Sequence, residues 1–125
     1  MPKRETGEGD LTFDVGFSES VLRNVPNYPE VIEALGGLYT RVGRVDDGLE
    51  MDRRLVDLWP ENATAHYNLG CSLALKSHPS DAVDSLRRAV ELGYDDVEWM
   101  RNDPDLKPLH DLPEFRELLE RLGSN

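Results

Sequence analysis

Cys71 is the lone thiol of this 125-residue chain, and His66, His78 and His110 are its only imidazoles. A thiol activated by a neighbouring imidazole would make a nucleophile pair. His66 lies five residues before Cys71, which is not a spacing that brings ring and thiol together on a helix. Cys71 is therefore expected as a small packing residue, and His66 as a packed histidine. The three histidines are far apart and none is clustered with carboxylates or cysteine at ligand spacing, so no metal site is expected. Carboxylates are abundant, but abundance is not pairing. Asp95-Asp96 and the Asp103/Asp105 pair read as helix caps and solvated turns. There is no Gly-x-x-x-x-Gly-Lys loop for a phosphate, and Gly36-Gly37 falls inside a helix. The expectation is a protein without catalysis and without cofactors.

The chain carries 14 Lys+Arg against 25 Asp+Glu, a net charge of −11. Such a charge repels the phosphate backbone of nucleic acid and the surface of anionic lipid. It favours a basic partner, or solubility alone. A single cysteine forms no internal disulfide, which fits a reducing compartment. Lys3 and Arg4 precede no apolar run, so neither a signal peptide nor a membrane span is expected, and the localisation implied is cytoplasmic.

The elements that position these residues follow a period. Leu35-Gly36 recurs as Leu69-Gly70, an offset of thirty-four residues, and Leu49, Val56 and Leu58 recur as Val83, Val90 and Leu92. Residues 1–16 read as a flexible acidic segment, although Leu11, Phe13, Val15 and Phe17 alternate like a short strand. Phe17, Val21 and Val25 share a helical face, which predicts a helix over 17–25 closed by Pro26, within a half repeat over 17–28. The first full repeat covers 29–62, opened by Pro29 and turned at Gly43. The second covers 63–96, with Asn62 as N-cap and Pro79 opening its second helix. Beyond Gly93 the period breaks. Asp95 is placed to cap a short helix, and Phe115, Leu118, Leu119 and Leu122 make a final amphipathic helix. Residues 97–122 thus predict a cap over the apolar side left by the last repeat.

These residues resemble the tetratricopeptide repeat, whose period is thirty-four. The first repeat supplies Ile32, Leu35-Gly36, Tyr39, Gly48, Asp52 and Pro60. The second supplies His66, Leu69-Gly70, Leu73, Ala82, Leu86 and Tyr94. Asp52 stands where an aromatic is usual and Tyr94 where proline is usual. The Asp103-Pro104-Asp105-Leu106 and Pro108-Leu109 run also resembles the closing segment of many bacterial tetratricopeptide proteins. The resemblance implies an all-α, right-handed superhelix of about two and a half repeats with a C-terminal capping helix.

It also implies a concave groove lined by the first helix of each repeat. That face carries Glu30, Glu33, Gly37, Thr40 and Arg41 in repeat one, then Thr64, Tyr67, Asn68, Cys71 and Leu75 in repeat two. The groove is expected to be mildly acidic at one end and apolar at the other. Some members of the family grip a terminal carboxylate with Lys and Asn. Glu33 and Gly37 hold those first-repeat places here, so that clamp is absent. The function implied is a non-enzymatic adaptor that takes a protein or peptide, basic and apolar in character, in the groove. The alternatives are a homo-oligomeric module, with Phe13, Phe17, Tyr28 and Trp99 as contacts, and a small acidic chaperone for a secreted or folding client.

Overall fold

The computed structural model describes residues 8–124, and among them every regular element is helical. The order is α1 (Glu8–Asn24), α2 (Pro29–Arg41), α3 (Val45–Leu58), α4 (Ala63–Leu75), α5 (Pro79–Glu91), α6 (Val97–Asn102), a 3-10 helix (Pro104–Leu109) and α7 (Pro113–Gly123). Helices α2 and α3 form one antiparallel pair, α4 and α5 the next, and α3 packs on α4. None of the described helices is long and apolar enough to cross a membrane.

Small residues set the spacing within each pair. A Cβ on Gly70 would lie 2.8 Å from Leu86 Cγ and 3.2 Å from the Ala82 carbonyl oxygen. A Cβ on Gly48 would lie 3.1 Å from the Gly36 carbonyl oxygen. The backbones therefore touch where the sequence has no side chain, and larger residues on either side fill the remaining space. Ile32, Leu35, Leu55, Leu86 and Ala82 are all but completely buried.

The turns between paired helices repeat as faithfully as the helices do. After α2, Arg44 N–H donates to the Tyr39 carbonyl; after α4, His78 N–H donates to the Leu73 carbonyl. Both close a left-handed C-terminal cap. Gly43 takes the positive φ of 87° in the first, whereas Ser77 takes φ 65° in the second. A serine there carries a steric cost that glycine does not. Ser77 is exposed, so Ser77→Gly is expected to raise stability by about 0.5–1 kcal/mol. Urea midpoints of the two proteins check this; a lower midpoint in the variant contradicts it.

Three expectations need correction. The N-terminal segment is not irregular throughout: helix α1 begins at Glu8, while residues 1–7 lie outside the described residues. Its buried face is Val15 and Leu22, seven apart, rather than Phe17 and Val25, which are exposed. Tyr39 Oη donates to Glu19 at 2.5 Å and Arg44 pairs with Glu19 at 3.7 Å, so polar ties as well as apolar burial fix that rotation. The cap of α6 is Asp96, whose carboxylate accepts from Trp99 N–H at 3.0 Å, not Asp95. Finally, α7 lies against α5 and α6, while the 3-10 helix folds back onto α4. The closing segment therefore covers part of the inner face of α4 as well as the end of the array.

Candidate functional site

The inner faces of α2 and α4 supply the floor of a groove. One depression of about 430 Å³ lies between α1 and α2, lined by Phe17, Ala34 and Leu38 with Asp14 and Glu33 beside them. A second, of about 280 Å³, lies between α2, α4 and the closing segment. Gly37 and Arg41 line both, so the two depressions adjoin at these residues. Gly37 is exposed, and a Cβ built there would meet nothing within 4 Å. Its missing side chain keeps the junction low without being required by packing.

The second depression brings together Gly37, Arg41, Tyr67, Asn68 and Cys71 from the expected groove face, and Thr40 with them. Glu33 lines only the first depression, and Glu30, Thr64 and Leu75 line neither. The second depression also contains residues that the first-helix projection left out: Asp52 from α3, Ser72 from α4, Trp99 from α6, and Asp103 and Asp105 from the closing segment. Acidic side chains therefore stand at both ends, Asp14 and Glu33 beside the apolar residues of the first depression and the buried Asp52 and Asp103 in the second.

Asp103 organises the repeat-two end. It is not a solvated turn residue but 5% exposed. One carboxylate oxygen accepts from Tyr67 Oη at 2.6 Å and from Cys71 Sγ at 3.6 Å. The other accepts from Asp105 N–H at 3.0 Å and so caps the 3-10 helix. Tyr67 is held flat against Tyr94, with ring centroids 4.4 Å apart and planes 9° apart. Burial, together with its bond to Asp103, pushes the Tyr67 phenol upward. Burial, then the charges of Asp103 and Asp105, push the Cys71 thiol far above its ordinary range. Cys71 therefore keeps its proton at neutral pH and acts as a donor to Asp103, not as a thiolate. Its sulfur and the Asp103 and Asp105 oxygens lie within 4.8 Å of one another. Hydrogen bonding already accounts for the thiol proton and for both Asp103 oxygens, so this is a polar knot that ties the closing segment to α4.

Asp52 is the second buried acid, 4% exposed, at the place where the repeat usually has an aromatic ring. Gly36 makes the room: a Cβ there would lie 2.9 Å from Asp52 Oδ1. Asp52 Oδ2 accepts from Ser72 Oγ at 2.5 Å. Burial pushes this carboxyl up to about 6; the Ser72 bond works against that and the Glu33 charge adds to it. His66 is half-buried rather than packed in the core, and its Nε2 donates to the Pro60 carbonyl at 2.8 Å.

No family model matches the sequence. Among curated proteins, the chain is similar to the CTR9 homologue of Arabidopsis thaliana, at 36% identity over 84 residues, or 67% of this chain. The chain spans only 8% of that relative's length. Two crystal structures of MamA align with 94% of this chain, at TM-scores of 0.76 and 0.75 and 24% identity. The alignments cover 69% and 64% of the MamA chains. MamA is a tetratricopeptide-repeat protein, and the CTR9 homologue is rich in the same repeat. With its helix pairs stacked around close glycine contacts, this chain has a helical repeat fold of the tetratricopeptide type.

Proposed function

We propose that the chain is a protein-interaction scaffold that receives a peptide or helix of its partner in the groove. The fold supports a scaffold in general, and the observation that carries the groove reading is that the two depressions adjoin at Gly37 and Arg41. An extended segment or a single helix would lie along α1, α2 and α4, with apolar residues over Phe17, Ala34 and Leu38 and its polar end towards α4. The closing segment narrows the groove at α4, so the site takes a short segment rather than a long one. A basic partner suits the net charge of −11.

Gly37→Leu tests this reading. The substitution meets open space, so folding is expected to be retained. The leucine would stand in the junction between the two depressions. Peptides selected by the wild-type protein from a displayed random library are expected to lose at least about tenfold in affinity for the variant, the cost of one blocked central contact. Undiminished binding would remove the groove from the account.

A second reading has its own observation. Phe13 and Phe17 are 72% and 62% exposed and stack along α1, with centroids 6.5 Å apart, Phe17 standing at the edge of the first depression. Should light scattering on the same samples show a dimer at low concentration that Gly37→Leu leaves intact, assembly through that face would replace the groove.

A further inference from the structure

The pocket at the α4 end of the groove holds three carboxylates, and among the described residues none of them forms an ion pair with a Lys or Arg. Asp52 and Asp103 are both more than nine-tenths buried and come from different elements. Asp103 spends both oxygens on hydrogen bonds from within the chain. Asp52 does not: Oδ2 is taken by Ser72, whereas Oδ1 accepts no hydrogen bond among the described residues and lies beside Gly36, which lines the cavity with Asp52. The half-buried Asp105 carboxylate also accepts none among the described residues. Buried carboxylates are ordinarily matched by donors or cations. Here acceptors remain over, and they converge on one cavity. The indole of Trp99, half exposed, lines the same cavity.

We propose that this pocket receives an arginine side chain of the partner segment, with its guanidinium donating to Asp52 Oδ1 and the Asp105 carboxylate and lying against the Trp99 indole. The inference rests on the reading of the groove as the partner's site. Arginine fits better than lysine because a planar fork can reach two separate acceptors while its face stacks on an indole. The rival occupant is this chain's own Arg41. It is exposed, forms no ion pair among the described residues, and stands where the two depressions meet.

The test uses the isotope-labelled full chain, titrated with Nα-acetyl-arginine methylamide and, in parallel, with its neutral isostere Nα-acetyl-citrulline methylamide. The expected result is saturable shifts of the Trp99 indole N–H and the Gly36 and Gly37 amides with the arginine probe. The citrulline probe should bind about tenfold or more weakly, the worth of charge-assisted bonds. Asp105→Asn, at a half-buried position, should weaken the arginine probe about three- to tenfold. Asp52→Asn should do the same, and Arg41→Gln should strengthen it by removing the internal competitor. Equal responses to both probes, non-saturating shifts scattered over exposed acids, or weakened binding in Arg41→Gln would each overturn the proposal. The probe is too short to fill the groove, so the titration reads the pocket alone. If it fails while Gly37→Leu still blocks selected peptides, the groove stands and only its guest is wrong.

Discussion

Phe115→Ala is expected to destabilise the protein by about 3–5 kcal/mol, the usual range for truncating a buried aromatic. Phe115 is completely buried, as are Met100, Leu106 and Leu109 from the segments that precede it. His110 stacks on the ring, with centroids 5.8 Å apart and planes 12° apart. The cavity would open where α7 meets the segment that folds back over α4. Against a total stability of about 5–15 kcal/mol for a domain of this kind, such a loss is a third or more. Urea denaturation followed by circular dichroism measures it, with Phe13→Ala as the control. Phe13 is 72% exposed, so its truncation should fall within about 0.5 kcal/mol of neutral. Equal losses in the two variants would contradict the placement of α7.

The consequence reaches the groove. Leu106 and Leu109 hold the 3-10 helix down, and Asp103 at its start is the acceptor for Tyr67 and Cys71. Loosening α7 should therefore expose the inner face of α4. Hydrogen exchange is expected to show protection lost from α6 to α7 before α2 and α3, since repeat arrays are held together chiefly by neighbouring contacts.

Much of this was legible in the sequence because close packing leaves a periodic trace. Gly36, Gly48, Gly70 and Ala82 lie where helices touch, and the offset between them is the geometry of one repeat. Helix α1 was less legible. Leu11, Phe13, Val15 and Phe17 alternate as a strand would, and its apolar residues lie on two opposite faces. Val15 and Leu22 are buried while Phe13 and Phe17 are exposed, so no single stripe announces the helix. The site was half legible. Projecting first-helix faces found Arg41, Tyr67, Asn68 and Cys71, but not the residues delivered from elsewhere. Asp103 enters from a segment more than thirty residues beyond Cys71, and no local period encodes that return. Asp52 did leave a signal: a carboxylate interrupting an apolar stripe, opposite a glycine. A charge at such a position requires both room and a donor, which Gly36 and Ser72 provide.

Asp52→Asn is expected to stabilise the protein at pH 7.5 and to leave it nearly unchanged at pH 4. The Asp52 carboxyl titrates at about 6 in the folded protein and near 3.9 in an unfolded chain. Between those values the folded state holds the proton more tightly, so this group's contribution to stability falls as pH rises from about 4 to 6 and is constant above that window. A shift of two pK units corresponds to about 3 kcal/mol, which sets the upper end of an expected gain of about 1–3 kcal/mol at neutral pH. Asparagine keeps an oxygen to accept from Ser72 Oγ and turns its amide towards the open side of the pocket, so the substitution removes the charge without stranding a donor. The other carboxylates titrate in both proteins, and the difference between the two stability curves isolates Asp52. That difference should grow with the expected sign across the window, as read by urea midpoints at closely spaced pH values. A difference independent of pH would mean that Asp52 is solvated like a surface acid, and the wall it builds at the α4 end of the groove would then be open to water.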